Sequence, residues 1–304
     1  LDEVIEAEAL GYYGAYMVEH HFTGSGQVSS SLTVLSHLAA RTQKLRLGTA
    51  VVVVPWHNPL LLAEQDATID LLSGGRLDLG LGRGYRDYEF RGFGDDPAEA
   101  SSLYEETVEV LLKAWGSQQR FSHHGENWDF EDVVIEPSPI QKPHPPIWTG
   151  AGSIPSIEGA ATRGFRLFLD QVGSTELTAK RVAAYRATRE ATGQPYDASM
   201  IALTRALRIC RSEAERDTQL ETQVQVLKFL AEGAKSSKGT SHPFYSDPET
   251  RRQTAEESAM LGTPEECIKR VRDLQAVGVE QVLFAASSID DLRLFAQEVM
   301  PAFV

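Results

Sequence analysis

Five short segments carry side chains able to move protons or hold an anion: Glu19-His20-His21-Phe22, Val54-Pro55-Trp56-His57, Gly82-Arg83-Gly84-Tyr85, Gly150-Ala151-Gly152-Ser153 and Asp170-Gln171. Histidine exchanges a proton near neutral pH. Two adjacent ones at a strand end diverge, so one of His20 and His21 can meet a ligand while the other packs outward. The alternative is that both are structural. With no His-x-x-x-His spacing on a helix and no cysteine nearby, the pair does not read as a metal site. Arg83 lies among glycines that allow close ligand approach, which suits an anion; capping of a neighbouring helix is the other reading. In Gly150 to Ser156, Ser153 can cap a helix, Pro155 suits its first turn, and free N–H groups there form an anion site. A simple helix cap would have the same sequence. Arg83 and this turn both suit a phosphate, and Phe22, Trp56 and Tyr85 can wall an apolar pocket. His123 and His124 fall in a polar stretch and read as solvated.

The elements that must position these groups alternate. Strands are expected at 15–18, 45–54, 76–81, 146–149, 165–169, 200–210 and 281–285. Helices are expected at 30–41, 60–72, 98–115, 157–163, 177–192, 264–276 and 290–299. Strict alternation implies a parallel sheet. Seven strands behind a helical start at Leu1 to Ala7, with an eighth expected upstream, make a (β/α)8 TIM barrel in one domain, 1–304. An open doubly wound sheet is the rival, but Tyr85 stands where its fingerprint needs a third glycine and no fitting acid follows. In a barrel, reactive groups sit just after the strands, where all five segments fall. Two excursions interrupt the pattern. Residues 118–145 are polar, with a hairpin expected around His124 to Asn127. Residues 213–258, before the last strand–helix unit, read as a lid centred on Lys235 to Tyr245.

Composition narrows the partners. Among 304 residues, 29 Lys and Arg face 43 Asp and Glu, a formal charge of −14. Such a chain lacks the basic surface that nucleic acids or anionic membranes require. The longest apolar run, Ala50 to Trp56, is strand-sized, so no membrane span is expected. Two cysteines, Cys210 and Cys267, form no disulfide framework, which fits the cytoplasm.

Val18-Glu19-His20-His21-Phe22-Thr23, Leu47-Gly48-Thr49-Ala50-Val51, Leu71 to Leu77 running into Gly80-Leu81-Gly82-Arg83-Gly84, Gly262-Thr263-Pro264-Glu265-Glu266-Cys267 and Val299-Met300-Pro301 keep one motif order along the chain. Together they resemble the bacterial luciferase-like flavin monooxygenases. The resemblance implies a TIM barrel that takes reduced FMN from a separate flavin reductase, activates dioxygen as a flavin 4a-(hydro)peroxide and oxygenates a small organic substrate. It places the catalytic histidine at His20 and the FMN phosphate at Arg83 with Gly152, Ser153 and Ser156. It also puts a cis peptide beside the flavin at Ala50–Val51, and implies a homodimer. Gly82 stands where luciferase has a reactive cysteine. A deazaflavin (F420)-dependent oxidoreductase on the same barrel is one alternative, and a non-catalytic flavin-binding partner subunit is another. The luciferase β subunit has Asn at the position of His20, so His20 favours catalysis.

Overall fold

Short apolar strands alternate with helices in two compact units, Leu1–Thr149 and Gly150–Val304, of a computed structural model that describes residues 1–24, 27–116, 119–233, 247–286 and 288–303. The first unit runs α1 (Asp2–Ala9), β1 (Gly14–Met17), α2 (Ser31–Arg41), β2 (Arg46–Thr49), β3 (Val52–Val53), α3 (Pro59–Ser73), β4 (Leu77–Gly82), α4 (Asp87–Phe93) and α5 (Ala100–Gly116). It continues through β5 (Phe121–His124), β6 (Asp129–Val133) and β7 (Ile147–Gly150). Strands β1, β2, β4 and β7 lie side by side and parallel, with β3 also on β4. The expected strand 45–54 is two strands, separated at the Ala50–Val51 peptide, which is cis. The expected hairpin is the antiparallel pair β5–β6.

Leu47, Leu77, Leu79 and Leu81 are fully buried in this sheet, beneath Leu35, Leu38 and Leu62 of the covering helices. Fully burying side chains of this size contributes about 1.5–3 kcal/mol each. A polar chain occupies the other face of this sheet: the Tyr16 hydroxyl donates to Asp78 at 2.8 Å, and Arg46 grips Asp78 through Nε at 2.7 Å and Nη2 at 2.8 Å. Gly48 is required here, because a Cβ would strike the Tyr16 ring.

In the second unit come α6 (Ile154–Thr162), β8 (Arg166–Leu169), α7 (Thr175–Ala191), β9 (Ile201–Ile209), α8 (Glu213–Gly233) and α9 (Pro248–Ser258). Then follow β10 (Met260–Gly262), α10 (Pro264–Ala276), β11 (Gln281–Ala286) and α11 (Ile289–Leu294). Strands β8, β10 and β11 each pair parallel with β9. Strand β10 is too short for the sequence pattern to mark it. A reciprocal capping box explains why α10 starts where it does: Glu266 Oε2 accepts the Thr263 N–H at 2.8 Å while Thr263 Oγ1 accepts the Glu266 N–H at 3.3 Å.

The described part of the excursion 213–258 is anchored. Leu220, Val224 and Leu227 of α8 and Ala255 of α9 share a buried cluster with Val172, Ala206 and Leu261. The expected lid centre, Lys235 to Tyr245, lies outside the described residues.

Candidate active site

The segment after β1 and the residues around α4 build a paired carboxylate–imidazole network. His20 leaves β1 with its N–H bonded to the Val28 carbonyl at 2.9 Å. Its Nδ1 lies 3.1 Å from Glu89 Oε1 on α4, and the same oxygen accepts the His21 N–H at 2.9 Å. Glu89 is almost completely buried, with side-chain exposure of 1%, while His20 keeps 14%. Arg86, also buried, holds Nη1 3.8 Å from Glu89 Oε1 and donates to the hydroxyls of Tyr88 at 3.0 Å and Tyr85 at 3.3 Å. The Tyr85 ring meets the His20 ring edge-on, centroids 6.2 Å apart.

The second half of the network centres on Glu19. Its Oε1 accepts from His57 Nε2 at 2.8 Å and His21 Nε2 at 3.2 Å, and its Oε2 accepts the Val53 N–H at 2.7 Å. Burial alone would raise the Glu19 pKa. The hydrogen bond and charge of His57, the Val53 N–H and the His21 hydrogen bond outweigh it and hold the carboxyl below its usual range. The two side chains thus turn to different carboxylates, His20 to Glu89 and His21 to Glu19. His21 packs among Trp56 at 5.3 Å, Phe93 at 4.8 Å and Phe22 at 5.8 Å.

The expected pocket walls accordingly separate. Tyr85 lies beside His20, whereas Phe22 and Trp56 join Phe93 around His21. Phe22 sits at φ 56° and lays its ring over Gly92, where a Cβ would strike it. Val51 lies next to Gly82, and its γ-carbon fills the space that any side chain at 82 would need. A cysteine at 82 is thus incompatible with Val51 in its present place.

Arg83 follows β4 and is exposed, donating from Nη1 to Ser101 Oγ at 3.1 Å. Among the described residues it pairs with no carboxylate, leaving its remaining donors for an anion. In the second unit, Ser153 caps α6, its Oγ accepting the Ser156 N–H at 3.4 Å, with the two hydroxyl oxygens 2.9 Å apart. Gly152, Ser153 and Ser156 are exposed, and among the described residues the N–H groups of Gly152, Ser153 and Ile154 make no hydrogen bond. A guanidinium with donors to spare and a helix start with free N–H groups are each a kind of group that can hold a phosphate. The residues fit FMN chemically.

His123 departs from expectation. It is buried, 3.1 Å from Glu106 Oε1, while His124 alone faces solvent; alternation along β5 sends successive side chains to opposite faces. Glu106 anchors the hairpin by accepting the Asn127 N–H at 2.8 Å and the Trp128 N–H at 2.9 Å. The network partners Glu89 and Arg86 carried no sequence signal, since neither repeats at a diagnostic spacing from His20. Glu19 and His57 stood in the segments of interest without a role. Among the described residues, no group of three His, Cys, Asp or Glu could hold a metal ion, and no helix is long and apolar enough to cross a membrane.

The chain is similar over most of its length to known proteins. The oxygenase component of the flavin-dependent trigonelline monooxygenase of Acinetobacter baylyi is 26% identical, over 99% of this chain and 89% of its own. The crystal structure of monooxygenase RslO1 from Streptomyces bottropensis superposes with a TM-score of 0.86 at 25% identity, covering 100% of this chain and 93% of that one. An F420-dependent secondary alcohol dehydrogenase shares the fold, with a TM-score of 0.80 at 18% identity over 100% of this chain and 94% of its own. Two uncharacterised proteins of Sinorhizobium fredii, y4vJ and y4wF, are 36% identical over 56% and 61% of this chain, but the match spans only about half their length, 48% and 54%. Residues 1–281 match the sequence model of the luciferase-like monooxygenases, and with the parallel strand–helix alternation of a TIM-barrel fold this chain belongs to that family.

Proposed function

We propose that the chain is the oxygenating component of an FMN-dependent monooxygenase that inserts one atom of dioxygen into a small organic substrate. One observation carries the reading. His20, at the C-terminal end of β1, has Nδ1 bound to a buried carboxylate and no partner on Nε2 among the described residues. A single imidazole nitrogen is thus left to take or give a proton. Arg83, with Gly152, Ser153 and Ser156, would hold the FMN phosphate, and Ala50 and Val51 would lie along the ring. Bound reduced FMN supplies the electrons that activate dioxygen. Tyr85 beside His20, with Phe22 and Trp56 on the neighbouring wall, would keep water from the reacting atoms. The chain carries no nicotinamide fingerprint, so a separate reductase would deliver reduced FMN, and a cytoplasmic homodimer is the expected assembly.

The test mixes the protein with reduced FMN or reduced F420 in air with ¹⁸O-labelled dioxygen and a panel of small organic substrates. One labelled oxygen atom in a product, with FMN only, supports the proposal. Substrate reduction with F420 and no oxygen incorporation would instead identify a deazaflavin oxidoreductase. Flavin binding without turnover would identify a partner subunit.

A further inference from the structure

The two halves of the network impose opposite protonation patterns on their histidines. An ionised carboxylate has only acceptors, so every nitrogen facing one must carry a hydrogen. Glu19 Oε1 faces Nε2 of both His21 and His57, which places their hydrogens on Nε2. Glu89 Oε1 faces Nδ1 of His20, which places the hydrogen on Nδ1 and leaves the lone pair on Nε2. Glu89 is held in turn by the His21 N–H at 2.9 Å and by the neighbouring Arg86 cation. Its fixed place on α4 therefore sets both the tautomer and the ring orientation of His20.

We infer that Glu89 is the positioning residue that makes His20 a base at Nε2, while Glu19, by holding the Nε2 hydrogens of His21 and His57, leaves their lone pairs on Nδ1 instead. The inference rests on the reading of His20 as the acid–base group, and deepens it. Glu89 touches no reacting atom and acts only through the imidazole. A residue of this kind governs rate through the tautomer it selects, and general acid–base groups are worth about 10²–10⁴-fold. Because Glu89 and His20 act as one unit, removing both should cost little more than removing His20.

The first readout needs no flavin: ¹⁵N NMR of the imidazoles in the wild-type protein, assigned with His20→Gln, above the pH at which histidine is protonated. His20 is expected with its hydrogen on Nδ1, and His21 and His57 with theirs on Nε2. Glu89→Leu removes the acceptor at similar volume and should release His20 to a mixture of tautomers, whereas Glu89→Gln keeps an acceptor oxygen and should retain Nδ1–H. In the second readout, protein loaded with reduced FMN is mixed with air without substrate. Glu89→Leu should release hydrogen peroxide faster than wild type, and the Glu89→Leu/His20→Ala double variant should match His20→Ala. A wild-type His20 with its hydrogen on Nε2 overturns the inference, and so does a Glu89→Leu variant with unchanged tautomer and peroxide release. If Glu89→Leu does not fold, the wild-type spectrum decides alone. Correct tautomers combined with a His20→Ala variant of normal peroxide release would leave the positioning intact and refute the catalytic reading of His20 instead.

Discussion

Replacing Arg83 with alanine separates a ligand-binding arginine from a structural one, because the structure gives it so little to do for the fold. Its side chain is exposed and makes one neutral hydrogen bond, to Ser101 Oγ at 3.1 Å. Loss of such a surface contact stays within about 0.5 kcal/mol, so the melting temperature should hardly move. A phosphate on the same guanidinium would accept a charge-assisted hydrogen bond worth about 1.5–3 kcal/mol. At 1.4 kcal/mol per decade, that weakens FMN binding by roughly 10- to 150-fold. The assay is anaerobic titration of wild type and Arg83→Ala with reduced FMN and, in parallel, with reduced riboflavin, which lacks the phosphate. Wild type should prefer FMN and the variant should lose most of that preference while binding riboflavin as before. Equal FMN affinity in the two proteins, or an equal loss for both flavins, would refute the phosphate role.

His20→Ala should release more hydrogen peroxide per reduced flavin at nearly unchanged flavin affinity, whereas His21→Ala should lower the melting temperature, since His21 packs against Trp56 and Phe93; product, peroxide and melting temperature measured on both variants check this. Gly82→Ala should destabilise the fold by about 1–3 kcal/mol through collision with Val51, and denaturant unfolding should show that adding Val51→Ala recovers much of the loss. Burial raises the Glu106 pKa, but hydrogen bonds from Asn127, Trp128 and His123 outweigh it and bring the value to about 2. A folded pKa below the unfolded one stabilises above roughly pH 4.3, and this contribution fades as pH falls towards 2, so urea midpoints of wild type and Glu106→Gln should converge in acid from about 2 kcal/mol apart at neutral pH. Asp66 is fully buried, with neither carboxylate oxygen bonded among the described residues, and burial pushes its pKa well above the usual range. Its ionisation opposes folding as pH rises above the unfolded value, so Asp66→Asn should gain stability over wild type by about 1 kcal/mol per pH unit until the folded pKa is reached, as thermal melts between pH 5 and 8 would record.

Alternation of β-branched runs with helical periodicity was enough to read the parallel strand–helix architecture, because each element carries its own period. The turn residues of the β5–β6 hairpin were equally local. Strand β10, three residues long, has no room for a period, and seven-residue α4 is too short to show one. The acid–base segment was visible as His20-His21 at a strand end, yet the carboxylate that orients His20 is 69 residues away along the chain. Only the placement of α4 against the end of β1 joins them, and no local pattern encodes that approach. The same limit explains His123, whose partner Glu106 lies 17 residues back on α5. The anchoring of α8 was missed because its exposed face is strongly charged, which masks the stripe of Leu220, Val224 and Leu227.

The most direct measurement is oxygen accounting with reduced FMN. Wild-type protein and His20→Ala are each mixed with reduced FMN, ¹⁸O-labelled dioxygen and the substrate panel, and labelled product and hydrogen peroxide are quantified from the same sample. Wild type is expected to place one labelled atom in a product with little peroxide, and His20→Ala to divert the same flavin oxidation to peroxide. Reduced FMN consumed by wild type with all oxygen recovered as peroxide across the panel, unchanged in His20→Ala, would contradict the proposed function.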